Sequence, residues 1–171
     1  MHHVKNTSPI RKNDWLLFDV GARLFGYTSD ISRTFPVGKT VSWQRDIFHG
    51  VQTVHDEIIH YLRPGVKTAE FVQYVDSLMM ETLKQLGLVK RRSQTELRKR
   101  FPHAIGHGLG LDAHESLGKL ETFQEGMVLA IEPGIYVNEK GFGVRTENNI
   151  LITKDGARNL STSLPDKLWE L

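Results

Sequence analysis

The sequence predicts an α+β domain in which helices cover a curved antiparallel sheet. Three observations predict it. Strand-like runs bounded by turn formers occupy 14–39, two stretches with helical periodicity follow at 42–62 and 68–87, and further strand-like runs lie at 126–137 and 143–153. Strands grouped before and after a block of helices, rather than alternating with them, suit an antiparallel sheet. The chain has 171 residues, 39% hydrophobic and 25% charged, which allows one domain with a sizeable core. A formal net charge of +2 gives no reason to expect a nucleic-acid or membrane partner. With no cysteine, disulfides and thiolate metal sites are excluded. No apolar run reaches the length of a membrane span, and the N-terminal "MHHVKNTSPIRKNDW" lacks the apolar core of a secretory signal. These features together predict a cytoplasmic protein.

Taken in order, "WLLFDV" (15–20) is short and apolar, and "TSDISRTFPV" (28–37) mixes β-branched and aromatic residues, so the pair reads as two strands joined by a glycine-containing turn. Pro36 and Gly38 end the second strand. In "SWQRDIFHGVQTVHDEIIHYL" (42–62), Trp43, Ile47, Val51, Val54, Ile58 and Leu62 recur at three- and four-residue steps, one face of a helix. "TAEFVQYVDSLMMETLKQLG" (68–87) repeats the pattern, with Thr68 as the expected N-cap, Gly87 as the stop and the methionine pair as core filling. The basic run "KRRSQTELRKR" (90–100) carries six positive charges beside Glu96. Ser93 and Glu96 form a capping-box pattern and no aromatic is interleaved for base stacking, so a solvated helix is the better reading than a nucleic-acid patch. "GMVLAIEPGIYV" (126–137) and "GVRTENNILIT" (143–153) read as strands separated by a turn at "NEKGFG" (138–143).

Three of the eight histidines crowd into "HAIGHGLGLDAH" (103–114). Core packing is one explanation and a metal or acid–base site another. The second needs carboxylates inside otherwise apolar strands, where an unpaired charge is costly. Asp19 in "LLFDVG", Asp30 in "TSDIS", Glu132 in "LAIEPG" and Glu147 in "VRTENNILI" meet that requirement. Each alone has a structural explanation: Asp19 as a cap for the turn at Gly21, Glu132 as an edge charge before Pro133, Glu147 as a partner of Arg145. Together with a histidine cluster they form a hard, oxygen-rich set suited to two divalent ions such as manganese, cobalt or zinc. The chemistry of such a pair is usually hydrolysis by a hydroxide bridging the metals.

These residues resemble the dinuclear metallopeptidases of the pita-bread (creatinase/aminopeptidase-like) fold, which include methionyl aminopeptidases, Xaa-Pro aminopeptidases and prolidases. The family's ligands run Asp, Asp, His, Glu, Glu along the chain, and they match Asp19 in "FDVG", Asp30 in "SDISRTFPV", His107 in "GHGLG", Glu132 in "IEPG" and Glu147 in "RTEN". "SDISRTFPVGK" and "GHGLGLDAHE" look most like the proline-directed branch. The resemblance implies that Glu132 is both a ligand and the acid–base carboxylate. It implies that His103 and His114 handle the substrate or its tetrahedral intermediate, and that Arg145 supports the site from two residues before Glu147, on the same strand face. His2 falls at a further substrate-binding histidine. Gly106, Gly108 and Gly110 would leave room around the ligand and for a substrate backbone. The activity implied is release of an N-terminal residue preceding proline, with two ions, Mn²⁺ foremost and Co²⁺ or Zn²⁺ as alternatives, and a proline-containing peptide as the partner.

In the family the catalytic domain begins well before the first Asp ligand, whereas Asp19 lies close to residue 1. Residues 1–171 are therefore expected to form the C-terminal portion of such a domain, without the N-terminal domain, with a homodimer or another chain completing the fold. Two alternatives to the aminopeptidase remain: a prolidase confined to Xaa-Pro dipeptides, and a non-catalytic pita-bread module that binds peptides. A dinuclear phosphoesterase ranks last, since no glycine-rich phosphate loop or arginine cluster accompanies the ligands.

Overall fold

The computed structural model describes residues 7–165. Strand β1 (Trp15–Val20) pairs antiparallel with β4 (Ile31–Pro36), from Trp15 opposite Pro36 to Val20 opposite Ile31. Between them, where the sequence predicts one turn, stands a second small hairpin of β2 (Arg23–Leu24) and β3 (Tyr27–Thr28). Its tip places Phe25 and Gly26 both at positive φ, 51° and 91°, the combination that matches a tight hairpin to strand twist. The apolar run of β1 is not uniformly buried, because Phe18 and Val20 face solvent on an edge strand.

The two long helices follow their periodicity. Helix α1 (Ser42–Tyr61) buries Ile47, Val51, Val54 and Ile58, and α2 (Thr68–Gln85) buries Phe71, Val75, Met79 and Leu83. Both methionines, Met79 and Met80, lie in the core. Gly87 ends the second helix at φ 67°, a conformation that favours glycine. The expectation for Thr68 is corrected: Lys67 is the N-cap, and the Thr68 hydroxyl donates to the Leu120 carbonyl at 2.7 Å, tying α2 to the loop before the later strands. Helix α3 (Gln94–Arg100) starts at Ser93, whose hydroxyl accepts from the Glu96 amide at 3.2 Å. Two of its cations are matched within the fold, Arg98 with Asp76 and Arg100 with Glu139, while Arg92 just before it meets Glu81. Three of the six cations in the basic run are thus ion-paired within the fold, and its second half is helical.

The later strand runs are each broken in two. The first gives β6 (Val128–Ile131) and β7 (Gly134–Val137), the second β8 (Phe142–Arg145) and β9 (Asn148–Thr153). With β5 (Gly106–Gly108) and β10 (Gly156–Asn159) they form a four-stranded antiparallel sheet, β10-β9-β6-β5, and a separate β7-β8 hairpin. Every pairing is antiparallel, as expected, but the strands fall into separate ladders. The breaks coincide with Glu132–Pro133 and Thr146–Glu147; Pro133 has no N–H to continue a ladder. Behind the strands, Leu129, Ile131, Ile135, Ile150 and Ile152 join the helix residues in one hydrophobic core.

Candidate metal centre

The breaks decide where the acidic residues go. Of the four carboxylates singled out from the sequence, only Asp19 lies within a strand; Asp30 precedes β4, Glu132 follows β6 and Glu147 precedes β9. They gather with His107 of β5 at a seam between the β1-β4 ladder and the four-stranded sheet. Two overlapping sets result, His107 with Glu132 and Glu147, and Asp19 with Asp30 and Glu147, each with ligand atoms within 4.8 Å of one another. Glu147 belongs to both. A third set of the same span joins Asp30, His107 and His114.

His107 is oriented for metal binding. Its Nδ1 faces the Gly108 carbonyl at 3.0 Å, so the proton belongs there and the Nε2 lone pair is free. Nε2 points at Asp30, Glu132 and Glu147, with oxygens at 3.8, 3.9 and 3.8 Å. These carboxylates repel one another in partial burial, and their affinities record it. Glu132 is pushed up to about 7, first by burial and then by the charges of Asp30 and Asp19, against the opposing pull of Arg145. Glu147 also rises to about 7, through burial and the same acidic neighbours, although a hydrogen bond from Ser32 works against it. Asp30 is raised by burial and by Asp19. A divalent cation is the counter-charge that such a donor set lacks, so the residues fit one or two hard ions.

Arg145 and Ser32 organise the seam. Arg145 donates to Asp19 at 2.5 Å and to the Ser32 hydroxyl at 3.0 Å, and Ser32 in turn donates to Glu147 at 2.6 Å. Alternation along one strand does not explain why Arg145 and Glu147 converge, since β8 ends at Arg145; they converge because both reach Ser32. The buried Arg145 stays firmly cationic, its burial outweighed by Tyr136, Asp19 and Glu132. Asp19 is thus an ion-pair partner of Arg145.

The two predicted substrate histidines differ. His114 is 72% exposed at the mouth, its Nε2 3.8 Å from Asp30. His103 is engaged at both nitrogens, by the Ala104 carbonyl at 2.7 Å and the Tyr136 hydroxyl at 2.9 Å, and burial lowers its pKa. His2 lies outside the described residues. Tyr136 is the functional candidate that the sequence reading passes over: in "GIYV" it looks like one more core residue, and only the rule that a buried phenol seeks a partner marks it. The glycines of "GHGLG" make room for this chain itself. A Cβ on Gly106 would sit 1.9 Å from the Ala130 carbonyl, and one on Gly110 2.7 Å from the Glu115 carboxylate, in keeping with the expectation that they leave room around the ligand. Beside His103 and His107 opens an apolar cavity of about 380 Å³ walled by Phe71, Val75, Phe101, Phe123 and Leu129.

Separate antiparallel ladders with an Asp₂HisGlu₂ cluster at their seam present the donor set of a divalent-metal site, and comparison places the chain in a family. Residues 1–154 match the metallopeptidase family M24. The chain belongs to that family. It is 36% identical to Xaa-Pro aminopeptidase 1 of Streptomyces coelicolor over 193 aligned residues, covering all of this chain and 39% of that protein. With the Xaa-Pro aminopeptidase of Escherichia coli it shares 33% identity over 189 aligned residues, covering all of this chain and 43% of that one. A solved structure of zinc-substituted E. coli aminopeptidase P in complex with product superposes on 98% of this chain and 42% of its own length, at TM-score 0.88 and 34% identity. The chain thus spans about two fifths of the length of the relatives it matches. Among the described residues no helix is long and apolar enough to cross a membrane.

Proposed function

We propose that this chain carries the catalytic centre of an Xaa-Pro aminopeptidase, releasing an N-terminal residue that precedes proline with the help of two divalent ions. The observation that carries the reading is the pair of ligand sets sharing Glu147, with the free Nε2 of His107 on one side. In it, Asp19, Asp30 and Glu147 hold one ion and His107, Glu132 and Glu147 the other, manganese being the first to test and cobalt or zinc also fitting the donors. Bound there, the ions would lower the pKa of a water and polarise the scissile carbonyl. The relatives' names support the choice of substrate class.

The chain's own residues supply the rest. Glu132, the carboxylate beside the attacking water, would accept its proton and return it to the departing imino nitrogen, which leaves only when protonated. Arg145, 3.9 Å from Glu132, favours the charged form of that carboxylate and holds Asp19 in place. His114 at the mouth offers Nε2 to the substrate carbonyl. His103 acts through its bond with the Tyr136 hydroxyl. The apolar cavity beside His103 receives one side chain or ring of the peptide.

The test is hydrolysis of an Xaa-Pro-Xaa tripeptide and an Xaa-Pro dipeptide with Mn²⁺, by wild type and Glu132→Gln. Cleavage of the tripeptide, lost by at least about a hundredfold in Glu132→Gln, is the expected result. Cleavage of the dipeptide alone identifies a prolidase. Full metal loading with neither peptide cut identifies a binding module, and equal rates for the two proteins overturn the role of Glu132.

A further inference from the structure

One buried cation clamps the seam on which the acidic cluster is built. Arg33 Nη1 donates to the Ser32 carbonyl at 2.9 Å and to the Glu147 carbonyl at 2.7 Å. Those carbonyls lie on opposite sides of the seam, Ser32 in β4 and Glu147 on the link into β9. The Glu147 amide completes the closure by donating to the same Ser32 carbonyl at 3.0 Å. The other guanidinium nitrogens are equally committed: Nε donates to the Pro165 carbonyl and Nη2 to Asn148 Oδ1, both at 2.7 Å. A planar fork with this many bonds has one position available to it.

The chain of bonds continues into the helical layer. A guanidinium only donates, so the Asn148 atom facing it is the carbonyl oxygen, and the amide nitrogen then faces His55 Nε2 at 3.0 Å. That nitrogen donates, so Nε2 of His55 accepts and the ring proton resides on Nδ1, toward Asp56 Oδ1 at 3.4 Å. His55 belongs to α1 and is buried, 93 residues from Asn148 in sequence.

We propose that Arg33 is a positioning residue for Glu147, anchored to α1 through Asn148 and His55, and that this relay sets the affinity of the site for divalent cations. The inference rests on the reading of Glu147 as a shared ligand. Left to themselves, Glu147, Asp30, Asp19 and Glu132 reduce their mutual repulsion by moving apart. Arg33 prevents this from the backbone side while Ser32 holds the carboxylate, so the donor atoms stay gathered before an ion arrives. Lysine, a point charge without a planar fork, cannot reproduce the bonds to both carbonyls and Asn148.

The experiment measures Mn²⁺ binding calorimetrically for the 171-residue chain and for Arg33→Lys and His55→Leu, beside each protein's melting temperature in EDTA. Expected are an affinity loss of about 10- to 100-fold for Arg33→Lys and a smaller loss, about threefold or more, for His55→Leu. Long-range ¹H–¹⁵N spectra should show His55 as the Nδ1–H tautomer in wild type. A lower melting temperature with Mn²⁺ affinity within about twofold of wild type for both variants overturns the proposal, since packing alone would then account for Arg33. An Nε2–H tautomer of His55 overturns the relay. Should Arg33→Lys fail to fold, His55→Leu decides by the same criterion. A wild-type chain that binds no Mn²⁺, Co²⁺ or Zn²⁺ overturns the metal reading of the site, and this inference with it.

Discussion

Removing metal should make this protein less stable as pH rises, and Glu147→Gln should reverse much of that loss. Glu147 is nearly sealed from solvent, with 3% of its side chain exposed, and its pKa rises from 4.5 to about 7 in the folded chain. A folded pKa above the unfolded one means the native state holds the proton more tightly. The stabilisation is therefore complete below about pH 4.5 and disappears as pH rises through about 7. For a lone group, the rise from 4.5 to about 7 corresponds to roughly 3 kcal/mol. Glu132 changes over the same interval and itself raises Glu147, so their joint effect is less than twice that figure. Asp30 acts in the same direction from a lower starting point, whereas His103, lowered by burial, opposes it as pH rises through its range. Urea unfolding in EDTA at about pH 5 and about pH 8 should show wild type losing roughly 3 kcal/mol or more. Glu147→Gln cannot ionise, so at about pH 8 in EDTA it should be the more stable protein by roughly 2 kcal/mol. Saturating Mn²⁺ should invert that order by stabilising wild type alone. If Glu147→Gln in EDTA is no more stable than wild type at about pH 8, the burial and crowding of ionised carboxylates do not govern this cluster and the reasoning fails.

Two further substitutions separate packing from site geometry. Ile58→Ala removes a fully buried side chain from α1, so it should lower stability by about 2–5 kcal/mol in chemical denaturation while Mn²⁺ affinity of the folded protein stays unchanged. Gly106→Ala forces a Cβ to within 1.9 Å of the Ala130 carbonyl and must open the β5-β6 pairing that carries His107; calorimetry should find Mn²⁺ affinity reduced by at least about tenfold.

How much of this was readable from the chain depends on how far apart the interacting residues lie. Helices α1 and α2 follow from a repeat of three to four residues that each segment contains entire, and their buried faces follow it, although Val72 of the expected α2 stripe is 47% exposed. The acidic residues stand out for a similarly local reason: a carboxylate in an apolar run needs an explanation wherever the run goes. What the run does next is less local. Pro133 hints that β6 must end, but nothing in "VRTENNIL" announces that β8 stops at Arg145 and that Glu147 crosses to another ladder. Thr68 shows the same limit, since its hydroxyl is drawn from the cap position to a carbonyl 52 residues away. The bonds that shape the centre span longer separations still, 115 residues between Ser32 and Glu147 and 126 between Asp19 and Arg145. Ser32 and Arg33 read as ordinary polar positions of a strand, and Asn148 as a turn former, until the two ladders meet. Residue types that bind a cation can thus be recognised one segment at a time, whereas the residues that keep four carboxylates together against their repulsion are identified only by what folding brings to them.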